Sequence, residues 1–254
     1  MELNFDVKGI SYYFDSEKPL NIALPLRNGK ENPNCYYSHP PTFETIRIGN
    51  FIGSTTEGGL VNHKQIMLAP HGNGTHTECY GHISSETAAS INHCLQEYLF
   101  LAQVISIYPS KKDKDYIVTL ADVVNQLNGN TPEALIIRTL PNDHTKMTRQ
   151  YSGTNPPYLE PEVCTYLATI GVKHLLVDLP SIDKEVDGGV LMAHKNFWQY
   201  PLAVRKNCTI TELAYISNYI SDDIYLLNLQ ILNIDLDASP SQPILYKVTP
   251  KLNT

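Results

Sequence analysis

Between Pro70 and His82 the chain carries His71, His76, Glu78 and His82, separated almost entirely by small or turn-forming residues in the run Pro-His-Gly-Asn-Gly-Thr-His-Thr-Glu-Cys-Tyr-Gly-His. Neutral imidazole and carboxylate are the usual protein ligands of zinc and manganese, and His with Asp or Glu around an open position is the recurrent catalytic zinc arrangement. His76 and Glu78 are two apart, so an extended segment projects both to one face. His71 and His76 are five apart, which suits neither a strand face nor a helix face. Gly72-Asn73-Gly74 is therefore expected to fold the loop back through left-handed conformations and bring both imidazoles to one ion. Gly81 is expected to turn the chain so that His82 faces the same place. Any one of these histidines could be satisfied by backbone partners alone. The small residues around them, however, offer no core that would explain the group.

Further candidates follow along the chain. Asp178 and Asp183, in Asp-Leu-Pro-Ser-Ile-Asp, could orient ligating imidazoles or simply form a turn. His194 stands four residues before the sole tryptophan, Trp198. Glu212 lies in the β-branched and apolar stretch Thr209 to Ala214, where a buried carboxylate needs a cation and a metal would serve. Cys79, between His76 and His82, opens a rival chemistry in which a thiol paired with histidine is the nucleophile and no metal takes part. His39 and His63 have no companion at usable spacing and are read as non-ligands. No His-Glu-x-x-His helix, phosphate-binding glycine loop or Gly-x-Ser-x-Gly elbow occurs.

These residues need a scaffold, and the pattern of the chain supplies one. Strands are expected at Lys18–Leu26, Glu44–Phe51 and Lys64–Leu68, followed after the His-rich loop by a short helix within Ser84–Tyr98. A nearly continuous apolar strand at Leu101–Tyr108 reads as one covered on both faces. A helix entered at Thr119, a strand Ala134–Arg138, a helix Glu162–Ile170 stopped by Gly171, and a strand His174–Val177 complete an alternation that implies an α/β layer with parallel pairing. The aspartate run Asp178 to Asp183 then falls at a strand's carboxyl end, where α/β folds place their sites. The loop Cys35–Tyr37, together with Tyr80, Phe197 and Trp198, could wall an aromatic pocket.

The 254 residues, 42% of them hydrophobic, are read as one domain spanning 1–254 with a substantial core. A net charge of −7 without any Lys/Arg cluster argues against nucleic acid and anionic membranes as partners. The longest apolar run, near Tyr98 to Ile107, is too short and too polar to span a bilayer, so a soluble, cytoplasmic protein is expected. Cys35, Cys79, Cys94, Cys164 and Cys208 are odd in number without a Cys-x-x-Cys pair, which fits reduced thiols.

The run His71 to His82, together with Asp178 to Asp183, Ala193-His194 and Glu212-Leu213, resembles the signature of the metal-dependent cyclase family of hydrolases, which includes bacterial arylformamidase and isatin hydrolase. The likeness spans roughly residues 45 to 248. It departs from the family pattern by one extra residue between His71 and His76, by Glu78 in place of Asp, and by Tyr80 in place of Pro. The resemblance implies a swivelling β/β/α-type α/β domain, with a mixed central sheet or barrel flanked by helices. It implies one or two divalent ions per chain, zinc first and manganese second. His71, His76 and Glu78 would hold the first ion, His194 the second, and Glu212 with Glu78 would touch both. The implied reaction is hydrolysis of an amide, formamide or lactam of a small substrate by metal-activated hydroxide, with His82 as acid/base. Assembly as a homodimer or homotetramer is also implied. The alternative carried with it is a non-catalytic descendant that binds a metal or small carboxylate.

Overall fold

The computed structural model describes residues 1–7 and 9–251. Ten strands join in its principal sheet: β1 (Glu2–Val7), β2 (Ile10–Asp15), β3 (Leu20–Asn21), β4 (His76–Glu78), β5 (Leu99–Ile107), β6 (Ala134–Thr139), β7 (His174–Val177), β8 (Thr209–Glu212), β9 (Ile224–Ile231) and β10 (Ala238–Pro250). Strands β5, β6, β7 and β8 run parallel in that order. Helices α3 (Leu120–Leu127), α4 (Pro161–Thr169) and α5 (Met192–Trp198) fill the three crossovers between them. Two single helical turns, α1 (Pro70–Asn73) and α2 (Ile91–Cys94), come earlier in the chain. Strand β4 then pairs antiparallel with β8 on one side and with the start of β10 on the other. Since β10 also pairs with β9, and β9 with β5, seven strands close into a mixed barrel. The expected α/β class, with a mixed sheet or barrel flanked by helices, is the class observed.

Local chemistry accounts for these elements. Every residue of β6 (Ala-Leu-Ile-Ile-Arg-Thr) and β7 (His-Leu-Leu-Val) is buried, as strands covered on both faces must be. Thr119 caps α3 by accepting from Asp122 N, and its hydroxyl donates to Asp122 Oδ2 at 2.6 Å. Helix α3 packs on β5, and α4 lies against α3 and α5. Gly171, in the left-handed region at φ +85°, turns the chain out of α4 and into β7, as its place in the sequence suggested.

Some expected elements are shorter. Of Lys18–Leu26 only Leu20–Asn21 forms a strand, because Asn21 Oδ1 takes Ala23 N and Thr75 Oγ1 takes Leu24 N, drawing the chain off the sheet towards the His-rich segment. The helix expected within Ser84–Tyr98 shrinks to the one turn α2; Ser84 and Ser90 spend their hydroxyls on nearby groups, and Ile91 N bonds Leu236 O. The stretch Glu44–Phe51 splits at Ile46 into parts of two separate two-stranded ribbons. Strands β1, β2, β8, β9 and β10 and helix α5 stand outside the expected elements. Among the described residues no helix is long and apolar enough to cross a membrane.

His174 is a core histidine. It lies over Phe100 with ring centroids 3.9 Å apart, and Nδ1 meets Thr209 Oγ1 at 2.9 Å. Burial, reinforced by Lys173 and Arg205, pushes its pKa from 6.5 down to about 3. The unfolded chain then binds a proton that the folded chain refuses, so stability falls as pH drops through 6.5 towards 3. Urea unfolding of His174→Phe from pH 7 to 4 should show a shallower loss than the parent, by about 1.4 kcal/mol per pH unit; parallel slopes would refute this.

Candidate metal centre

Each candidate residue reaches the site by a different local device. His71 rides on α1, a single turn opened by Pro70. The expected left-handed glycines are not found, because neither Gly72 nor Gly74 has a left-handed φ and Gly74 is extended at φ 162°. What Gly72 provides is room, since a Cβ there would lie 2.1 Å from Ser38 Oγ. Asn73 ties the turn down, accepting from Ala69 N at 2.7 Å and donating to His39 O at 3.0 Å. His76 and Glu78 project together from β4, whose neighbours on both sides fix its register, with Glu212 opposite His76 on β8. The 3-10 turn Tyr80–Ile83 carries His82. Gly81 within it is required by close approach, for a Cβ would meet Ala89 O at 2.0 Å. Leu213, left-handed at φ 54°, turns the chain sharply after Glu212, a conformation that costs a non-glycine residue about 1 kcal/mol.

The structure brings all six predicted residues together. Glu78, fully buried, divides its oxygens: Oε2 lies 3.2 Å from His71 Nδ1, and Oε1 lies 3.0 Å from His194 Nε2. Glu212 divides its own in the same sense, Oε2 standing 3.4 Å from His76 Nε2 and Oε1 3.8 Å from His194 Nε2. Its Oε1 also accepts from Ile182 N at 3.0 Å. The outward nitrogens of the ligand candidates are held: His76 Nδ1 donates to Gly74 O (2.9 Å), and His194 Nδ1 meets Asp183 Oδ2 (2.6 Å). A carbonyl can only accept, so His76 presents a bare Nε2 to the interior. Oxygen and nitrogen atoms of His71, His76 and Glu78 lie within 4.8 Å of one another, as do those of Glu78, His82 and His194.

The electrostatics follow from this crowding. Burial alone would push the Glu78 carboxyl up, but His82 and His194 outweigh it and hold the group well below the carboxylate range. Burial pulls His194 down, while Glu78 and Asp183 raise it more, to about 10. His71 is likewise lowered by burial and raised by Asp237 and Glu78, to about 10. In the metal-free chain these imidazoles thus serve as the counter-charges; a metal must displace their protons to bind.

Other expectations resolve individually. Asp183 takes the imidazole-orienting role, and it also caps α5 by accepting from Ala193 N and His194 N. Asp178 does not; it is buried under Thr139 and Lys146, whose Nζ lies 2.7 Å away. Cys79 bonds Ala89 O and no imidazole, and interaction with Cys94, added to burial, pushes its thiol far above the ordinary value, so it is not poised as a nucleophile. Phe197 and Trp198 are fully buried core, and Tyr80 packs under Lys206, so none of them lines a pocket. Tyr36 does border the site: its hydroxyl donates to Pro180 O at 2.9 Å, and burial with Glu212 nearby raises its pKa. Asp237, just ahead of β10, is a site residue that the sequence did not disclose. Its Oδ2 is 2.8 Å from His71 Nε2 and 3.3 Å from His82 Nδ1. No spacing signal marks it, since it lies 155 residues from His82 in an ordinary Asp-Leu-Asp run.

Among the described residues, His76 Nε2 and Glu78 Oε2 are buried polar atoms without a hydrogen-bond partner. Both face the same space, and both are ligand atoms; the donor set therefore fits a divalent cation. The sequence profile of the Cyclase family ("Putative cyclase") matches residues 11–184. The chain belongs to this family. It is 27% identical over 193 residues to a kynurenine formamidase of Geobacillus thermodenitrificans, covering 76% of this chain and 83% of that one. Its fold is shared with a protein from Bacillus stearothermophilus described as a predicted metal-dependent hydrolase (TM-score 0.66, 16% identity, 90% of this chain and 98% of that one). It is shared also with isatin hydrolase A from Labrenzia aggregata (TM-score 0.68, 13% identity, 90% and 93% covered). His194 and Glu212 lie beyond the profile match, and the geometry joins them to the residues within it.

Asp183→Ala removes the acceptor of two amides at the start of α5 and of His194 Nδ1. Urea denaturation of the chelator-treated protein should report a loss of about 2–4 kcal/mol. A loss under about 0.5 kcal/mol, the range of an ordinary surface substitution, would contradict this role.

Proposed function

We propose that this member of the Cyclase family hydrolyses the carbon–nitrogen bond of a small amide, formamide or lactam at a centre of two divalent cations, zinc or manganese. Its class, a metal-dependent hydrolase acting on carbon–nitrogen bonds other than peptide bonds, accords with relatives named kynurenine formamidase and isatin hydrolase. One observation carries the reading: Glu78 and Glu212 each direct one oxygen towards His194 and the other towards His71 or His76. Both carboxylates would therefore be able to contribute an oxygen to each of two ions. His71 and His76 would hold one ion, His194 the other, and Glu78 and Glu212 both. Two divalent ions would also balance the four carboxylates gathered here, Glu78, Glu212, Asp183 and Asp237.

A bound divalent cation supplies Lewis acidity, polarising the scissile carbonyl and making water nucleophilic near neutral pH. The chain's own residues do the rest. His82 keeps its Nδ1 towards Asp237 and is 30% exposed at its side chain, so its Nε2 would take the proton of the attacking water. It returns that proton to the departing nitrogen as the C–N bond breaks, yielding a carboxylic acid and an amine. Buried His76, Glu78 and Glu212 keep bulk water off the ligand atoms. Tyr36, pinned on Pro180, walls one side of the approach.

Protein stripped with chelator and reloaded with zinc or manganese should hydrolyse aryl formamides or lactams only when loaded. Loaded protein inert towards a broad panel of such compounds would favour the non-catalytic binding role. His82→Ala should keep its metal and lose about 10²–10⁴-fold in turnover, whereas His76→Ala and Glu212→Ala should lose metal as well. Full metal content in both latter variants would refute the ligand assignment.

A further inference from the structure

Asp237 enters the site along a path unlike that of any other member. The backbone around it is pinned on both sides: Asp237 O accepts from Cys79 N at 3.0 Å, and Leu236 O accepts from Ile91 N at 2.7 Å. Ala238 then pairs with Glu78 in the barrel. The carboxylate is thereby fixed against the rings of His71 and His82, whose centroids are 4.3 Å apart. A single oxygen, Oδ2, faces both Nε2 of His71 and Nδ1 of His82. A carboxylate only accepts, so the nitrogens facing Asp237 carry hydrogen; His71 Nδ1, which faces Glu78 Oε2 at 3.2 Å, carries one too until an ion displaces it.

That requirement has a consequence for each ring. Once an ion has displaced the Nδ1 proton, His71 keeps the Nε2 hydrogen held by Asp237, and its lone pair is left on Nδ1, the atom 3.2 Å from Glu78 Oε2. His82 with hydrogen on Nδ1 has its lone pair on Nε2, free to receive a proton. We propose that Asp237 is a positioning residue for both parts of the centre, holding His71 as an Nδ1 ligand and His82 as the tautomer with a bare Nε2. This rests on the metal-site reading above and adds to it a residue that couples ligand geometry to the acid/base group. Histidine ligands elsewhere are oriented by such carboxylates, and losing the carboxylate weakens metal binding. Here one carboxylate serves a ligand and a non-ligand together.

The test uses the full chain, labelled with ¹⁵N-histidine and loaded with zinc, in three forms: unaltered, Asp237→Ala, and Asp237→Asn as a near-isosteric variant that preserves packing. Long-range ¹H–¹⁵N NMR reads each ring's tautomer, and competition with a chromophoric chelator reads zinc affinity. In the unaltered protein His71 should bind zinc through Nδ1, and His82 should carry hydrogen on Nδ1. In Asp237→Ala, His82 should shift towards the Nε2–H form and zinc affinity should fall about 10–100-fold. His174 and His76, whose outward partners do not involve Asp237, should keep their signals. Asp237→Asn, with one acceptor oxygen left, should fall between. Unchanged tautomers at His71 and His82 in Asp237→Ala with zinc retained would overturn this inference and leave the metal site standing. No zinc in the unaltered protein would overturn the metal site, and this inference with it.

Discussion

Two carboxylates, Glu78 and Glu212, are removed from water, and each turns an oxygen towards His194 Nε2 in a space lined by imidazoles. Burying a carboxylate is costly unless it is paired and hydrogen-bonded, and removing both into one small volume adds their mutual repulsion. The surrounding structure can be understood as the means of meeting that constraint. Imidazoles from four separate segments face these oxygens, and Gly74 O, Asp183 and Asp237 hold the outer edges of the rings. Without a cation, His71 and His194 must stay protonated to compensate; with one, the same rings become neutral ligands.

Such convergence needs a rigid frame, and the closure of the barrel provides it. β4 contributes only three residues, too few to hold a register alone. Held between β8 and β10, it has its register set twice, and a slip of one residue would turn His76 and Glu78 away from the site. The same closure brings Glu212 opposite His76 and delivers Asp237 beside Cys79. Long-range pairing and site assembly are therefore one event. At the site, Gly72 and Gly81 let neighbouring segments approach where any side chain would hold them apart.

What the sequence discloses follows from which physics is local. His76 and Glu78 are legible because alternation in a strand is a two-residue rule. The parallel strands β5, β6 and β7 and the helices α3 and α4 are legible because they are short, strongly patterned and bounded, as at Thr119 and Gly171. Glu212 is legible because a carboxylate among β-branched residues has no cheap alternative. Asp237 is hidden, since its role exists only once β10 has crossed to β4. The helix expected within Ser84–Tyr98 fails for a related reason: serine hydroxyls and the long-range bond from Ile91 N to Leu236 O take the backbone elsewhere. The glycines of the His-rich loop are rightly singled out by type, but the reason is steric access and not left-handed backbone.

The central claim is that this cluster exists to hold divalent cations, and it is tested most directly by elemental analysis of metal per chain after stripping and separate reloading with zinc and manganese. The account predicts retention approaching two ions per chain with at least one of these metals. Retention near one would confine the chemistry to a single ion and remove the bridging role of Glu78 and Glu212. No retained metal under either loading would contradict the account, leaving the buried carboxylates neutralised by imidazolium alone.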